Sequence, residues 1–157
     1  MPGRPFVPAG FAVPRELVVA PFRLEPLGPQ HNSADYAAWM SSVEHISATP
    51  GFAGRGWPDP AMSADDNLAD LLQHEDDFAR RAGFTYTVIE IATGEIIGCV
   101  YIYPARDQDQ DQDQDHDASV RSWVRADRAS LDLALHDAVA AWLAADWPFQ
   151  ALSYQPR

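Results

Sequence analysis

The residue types best suited to chemistry cluster in "SWVRADRASLDLALHDAVAAWL", residues 122 to 143. Strand-like Trp123 and Val124 lead through Arg125, Arg128, Ala129 and Ser130 into a helical repeat of apolar positions. A strand feeding a helix N-terminus offers backbone N–H groups and the positive end of the helix dipole, and so suits a phosphate. Close approach of a phosphate to bare amides needs glycine, and this turn has none. Asp127 and Asp132 add negative charge at the same place. One like-charge contact at about 4 Å costs on the order of 1 kcal/mol in water and more where solvent is excluded. Arg125 and Arg128 could offset part of that. A tryptophan in a strand is most often a core residue, and Val124 would act only through its backbone.

Proton-transfer chemistry has four candidates. Glu90 interrupts one face of "FTYTVIEI" and could take a proton from an amine, although its place beside a turn predicts exposure. His45, Tyr101 and Tyr103 are titratable groups set among apolar residues. Phe52 and Trp57, in "PGFAGRGWPDP", could form a lid or cap the core. Arg121, Trp123 and Arg125 alternate and so share one strand face, where solvation is the expected role of both arginines.

Metal chemistry is not expected. His31, His45, His74, His116 and His136 show no paired ligand spacing. The run "RDQDQDQDQDHD" lacks the turn glycine and terminal glutamate of a calcium loop. Self-repulsion and the lack of apolar residues predict a disordered acidic loop over residues 106–117. The nucleophile elbow, the P-loop and the dinucleotide-binding glycine motif are all missing. Cys99, the single cysteine, falls in "EIIGCVYIY" and reads as a buried thiol.

The elements that must hold these residues follow from periodicity. A proline-rich, flexible arm over 1–16 gives way to "LVVAPFRLEPL", an interrupted strand in which Pro21 marks a bend or an edge. Asn32 can cap a helix through "SADYAAWMSSVEHI", with Tyr36, Trp39, Met40 and Val43 on its buried face. After a glycine- and proline-rich loop, Ser63 and Asp66 form a capping-box pattern for a second helix running to about Ala82, with Gly83 as its stop. "FTYTVIEI" and "IIGCVYIY" predict a hairpin around "ATGE". "ASVRSWVR", a helix from about Ser130 and a short strand "ALSYQ" complete the order.

Composition bounds the class. A chain of 157 residues that is 46% hydrophobic and 11% aromatic suits one domain with a real core, here residues 17–157. A net charge of −12 argues against nucleic acid and anionic membranes as partners. No apolar run is long enough to span a bilayer, and "MPGRPFVPAGFAVPRE" does not read as a signal peptide. A cytoplasmic location is the expectation.

In that element order, "FRLEPLGPQHNSADYAAWMSS", "FTYTVIEIATGEIIGCVYIYP" and "SWVRADRASLDLALHDAVAAWL" together resemble the GNAT superfamily of acyl-CoA N-acyltransferases, over most of residues 19 to 154. The resemblance implies an α/β (α+β) fold with a mixed, mostly antiparallel sheet and helices on both faces. It implies acetyl-CoA as cofactor, with the pantetheine arm along the strand holding Trp123 and Val124. The pyrophosphate would lie at Arg125, Arg128, Ala129 and Ser130, and Phe52 and Trp57 would fall on the acceptor side. The implied activity is acetyl transfer to an amine of a small molecule or protein, with His45, Glu90, Tyr101 or Tyr103 as catalytic candidates.

Two departures accompany the resemblance. The family's phosphate loop wants small residues where Leu131 and Leu133 stand. The expected C-terminus is also truncated, since a complete member would continue with a helix and two strands that often carry a general-acid tyrosine. These departures keep open an alternative, a non-catalytic GNAT-like binding or assembly domain that has lost cofactor affinity. An uncovered last strand further predicts a homodimer or a partner segment on that edge.

Overall fold

The computed structural model describes residues 5–105 and 116–157. The expected acidic loop therefore lies mostly outside the described residues. Strands β1 (Leu17–Val19) and β2 (Phe22–Pro26) form a tight hairpin, so Pro21 sits at a turn. Helices α1 (Asn32–Met40), α2 (Val43–Ala48) and α3 (Ala64–Ala79) follow. The hairpin β3 (Phe84–Glu90) and β4 (Ile96–Tyr103) comes next, with Gly94 at φ 73° in its turn. Then come β5 (Ala118–Val124), a 3-10 turn over Ala126–Leu131, α4 (Asp132–Asp146) and β6 (Leu152–Tyr154).

One six-stranded sheet runs β1-β2-β3-β4-β5-β6, antiparallel throughout except for the parallel β5–β6 pair. Alternation along β4 and β5 divides the core in two. Val100, Ile102, Val120 and Val124 meet Leu135, Val139, Trp142 and Leu143 of α4 on one face. Cys99 and Trp123 meet Trp39, Ile46 and Leu71 of the other three helices on the opposite face. Gly98 lets β5 approach closely, because a Cβ there would collide with the Trp123 carbonyl. No helix among the described residues is long and apolar enough to cross a membrane.

Several local expectations change. Within residues 5–16, expected as a flexible arm, most residues are exposed but Phe6, Val7 and Phe11 pack on the core. Val7 is 2% exposed, Phe6 stacks between Phe84 and Phe149, and Tyr86 Oη donates to the Pro14 carbonyl. The single helix expected from Asn32 breaks at Ser41–Ser42, where Ser42 Oγ accepts from the Ala126 amide. Asn32 does not cap α1, and its amide reaches the Ala64 carbonyl instead. The Ser63–Asp66 capping box forms as read, with bonds of 2.9 and 3.1 Å. Helix α3 stops at Ala79, and the left-handed residue that follows is Arg81 at φ 60° rather than Gly83. The acidic run also ends in a structural role, because Asp117 accepts the Gln150 and Ala151 amides at 2.9 and 3.0 Å.

Candidate functional site

Helices α1 and α3 and strands β4 and β5 enclose a cavity of about 270 Å³. Phe52 and Trp57 reach it from the loop after α2, and Tyr101, Tyr103 and Arg121 reach it from the sheet. Its walls are aromatic and mutually braced. Trp57 lies 5.6 Å from Trp39, 6.0 Å from Phe52 and 6.3 Å from Tyr101 between ring centroids. Such edge and tilted contacts fix ring orientation. Arg121, expected in solvent, lines the cavity with its guanidinium 5.7 Å from the Phe52 centroid.

The floor is polar and buried. Asn67 accepts the Trp39 indole N–H at 3.0 Å and donates to Asp35 Oδ2 at 3.0 Å and to Asn32 Oδ1 at 3.0 Å. Asp35, 4% exposed, lines the cavity, and burial pushes its carboxyl up to about 6 despite the bond from Asn67. A carboxylate with that affinity for protons is still mostly ionised at neutral pH and gains from any cation brought beside it. Aromatic faces attract a cation as well.

A second polar group stands opposite. Tyr103 Oη donates to Asp77 Oδ2 at 2.8 Å, His74 Nδ1 lies 2.9 Å from Tyr103 Oη, and Thr85 Oγ1 lies 3.1 Å from Nδ1. Gly83 makes this possible, since a Cβ there would overlap the Tyr103 ring. Burial pushes the His74 imidazole down, against Asp77 and Asp70 and with Arg121. Burial also raises the Tyr101 and Tyr103 phenols, so both stay protonated donors at neutral pH.

Asp35, Asn67 and His74 were not among the residues expected at a site. Asp35 did carry a signal, because it lies four residues before Trp39 and beside Tyr36 on the face of α1 expected to be buried. Of the four expected proton-transfer residues, Tyr101 and Tyr103 line this cavity, whereas His45 and Glu90 do not. Glu90 is no base. Arg128 grips both its oxygens at 2.9 Å, and those bonds pull its carboxyl down to about 2.

The strand-to-helix junction lies beyond β5. Strands β5 and β6 pair only as far as Val120↔Tyr154, so residues 121–124 have a neighbour in β4 and none in β6. Trp123 is fully buried on the cavity side and donates to Tyr101 Oη at 3.0 Å, so it acts as a wall support. Arg125 pairs with Glu95 and Asp127 at 2.9 Å each, and Arg128 with Glu90. Ala129 and Ser130 lie exposed in the 3-10 turn, and Leu133 is 55% exposed at the start of α4. The Arg157 guanidinium enters the gap left by β6, donating to the Ser122 carbonyl at 2.7 Å and to Asp132 Oδ2 at 2.6 Å. Tyr154 Oη lies 2.6 Å from Ser122 Oγ in the same cluster.

Solved enzymes share this fold. The ribosomal-protein-S5-alanine acetyltransferase from Vibrio fischeri matches with a TM-score of 0.58 at 12% identity, covering 82% of this chain and 66% of its own. The fold is that of the GNAT acetyltransferases. RimL, a ribosomal L7/L12 α-N-protein acetyltransferase solved with coenzyme A, matches at 0.59 and 12% identity, over 82% of this chain and 66% of RimL. The aminoglycoside acetyltransferase AAC(6')-Ib, solved with coenzyme A and kanamycin, matches at 0.59 and 15% identity, over 86% and 74%. This chain spans just under two thirds of the length of the first GNAT-fold enzymes it matches, 66% and 65%. No protein-family model and no curated protein matches the sequence.

For a GNAT fold, the residues present suit half of an acyl-CoA. The β5 edge beyond Val120 suits an extended pantetheine arm. The pyrophosphate end does not suit it. The two arginines there are held by three carboxylates, Glu90, Glu95 and Asp127, and Leu131 and Leu133 replace bare backbone.

Proposed function

We propose that this domain is an N-acetyltransferase for an amine, holding the amine in the aromatic cavity beside the edge of β5 that β6 leaves unpaired. One observation carries the reading. Where β5 leaves β6, consecutive residues face the two places that such a reaction needs: Arg121 lines the cavity and the Ser122 carbonyl faces the gap. Acetyl-CoA, when bound, supplies the acetyl group as a thioester. The chain's own part is to concentrate and orient the amine. The Asp35 carboxylate attracts the ammonium form, and Phe52, Trp57 and Tyr101 pack its carbon body and exclude water. RimL is an α-N-protein acetyltransferase and AAC(6')-Ib an aminoglycoside acetyltransferase solved with kanamycin, which supports an amine acceptor here.

A second reading, a non-catalytic amine-binding domain, is favoured by one specific feature. Arg157 already satisfies the Ser122 carbonyl, and the junction arginines are already paired. The two readings separate in one experiment. Full-length protein is incubated with acetyl-CoA and a panel of primary amines that includes phenethylamine, with mass spectrometry of the products. The first reading expects N-acetylated product above the uncatalysed rate, reduced at least tenfold by Trp57→Ala. Saturable amine binding without product from any amine would establish the second.

A further inference from the structure

We propose that His74 is the group that takes the proton from the ammonium bound in this cavity, with Tyr103 and Asp77 holding it in the required tautomer. The inference rests on the amine reading above and adds the residue that makes the amine nucleophilic. Protein side chains do this work only when their lone pair faces the substrate, so geometry decides.

A carboxylate can only accept, so the Tyr103 hydroxyl proton belongs to the 2.8 Å bond to Asp77. The phenol oxygen then has lone pairs to offer, and His74 Nδ1, 2.9 Å away, must be the donor. Thr85 Oγ1, 3.1 Å from Nδ1, takes a share of the same N–H. The neutral ring therefore carries its proton on Nδ1 and its lone pair on Nε2. Nε2 makes no hydrogen bond among the described residues, and the ring lines the cavity beside Tyr101, with centroids 5.7 Å apart. This is a half-buried base directed by a tyrosine and a carboxylate behind it.

In the step itself, one N–H bond of the ammonium breaks, its electron pair stays on the amine nitrogen, and the proton bonds to Nε2. The imidazolium so formed donates at both nitrogens and lies close to Asp77 and Asp70 on α3. Among the described residues, the charged groups beside the ring or lining the same cavity are those two carboxylates, Asp35 of α1, Arg55 of the loop after α2 and Arg121 of β5, with the Tyr101 and Tyr103 hydroxyls of β4. Burial outweighs the carboxylates and keeps the resting ring neutral, which is the state that a base needs.

Two measurements test this. Nitrogen NMR of the His74 ring in the full chain should show the Nδ1–H tautomer, and Tyr103→Phe should lose that preference. Phenethylammonium should shift the Nε2 resonance and lower the His74 pKa further, as expected for a like charge brought close, whereas phenethyl alcohol should not. With acetyl-CoA and phenethylamine, His74→Gln should lower kcat by about 10²-fold or more with KM changed less than about threefold, and should remove an acid limb from the pH profile. An Nε2–H tautomer, an Nε2 resonance indifferent to phenethylammonium, or an unchanged kcat in His74→Gln would each overturn the proposal. If the wild type gives no product but phenethylammonium still shifts Nε2, acyl transfer fails as the function, and His74 stands as the acceptor of the bound ammonium's hydrogen bond.

Discussion

Replacing Asp35 by Asn should make the protein more stable at neutral pH while weakening its hold on a cation. The Asp35 carboxyl is 4% exposed, and burial raises it from its ordinary 3.8 to about 6. A shift of that size is worth about 3 kcal/mol of differential stability between its two protonation states. Because the folded chain holds this proton more tightly than the unfolded chain, stability falls as pH rises from about 4 through 6. Integrated between pH 4.5 and 7.5, the loss is about 2 kcal/mol. Asn keeps the acceptor for Asn67 Nδ2 at 3.0 Å but buries an amide with donors to satisfy, which costs about 1 kcal/mol or more at every pH. Urea denaturation of both proteins at pH 4.5 and 7.5 should therefore show the variant gaining about 2 kcal/mol relative to wild type between the two values. Near neutral pH its melting temperature should rise by a few degrees. The same variant should bind phenethylammonium at least tenfold more weakly. A difference between the two proteins that does not change with pH would refute the argument that burial of this charge opposes folding.

Other outcomes are expected from the same physics. Arg157→Ala frees the Ser122 carbonyl, and calorimetry should find acetyl-CoA binding tightened severalfold, with about 3 kcal/mol of stability lost as the largely buried Asp132 loses its partner. Asp117→Ala removes the acceptor of two backbone amides and should cost about 1 to 3 kcal/mol in denaturant unfolding. The exposed edge of β6 should be covered in solution by a second copy, so light scattering at micromolar concentration should give a dimer mass, and a monomer mass would contradict this.

The sequence made the frame legible wherever one local rule governed. The Ser63–Asp66 cap, the β3–β4 hairpin and the run from strand to turn to helix at residues 118 to 146 each follow from periodicity or capping within a few residues. It failed where a distant contact decided. Helical spacing continues through Ser41 and Ser42, and the break there is satisfied by an amide 84 residues away. Phe6, Val7 and Phe11 were hidden among prolines that resemble a disordered arm, although they pack on Phe84 and Trp147. Arg128 looked available for a phosphate because its partner, Glu90, lies 38 residues earlier. The site divides in the same way. Phe52, Trp57, Tyr101 and Tyr103 were readable as aromatic residues in telling places. The meeting of Asp35 from α1, Asn67 and His74 from α3 and Arg121 from β5 exists only in the folded chain.

The central claim is that the edge of β5 which β6 leaves unpaired, where Arg157 lies, receives the acyl donor while the phosphate junction contributes little. It is tested most directly by titrating acetyl-CoA into the full chain by calorimetry and following the backbone amides of residues 121–124 by NMR. Edge pairing without a phosphate cradle predicts binding of only about 4 to 6 kcal/mol, a Kd in roughly the high-micromolar to millimolar range. Those amides should shift at saturation, and Arg128→Ala should change the affinity by less than about threefold. Low-micromolar binding that Arg128→Ala abolishes, or saturation without any shift at residues 121–124, would contradict it.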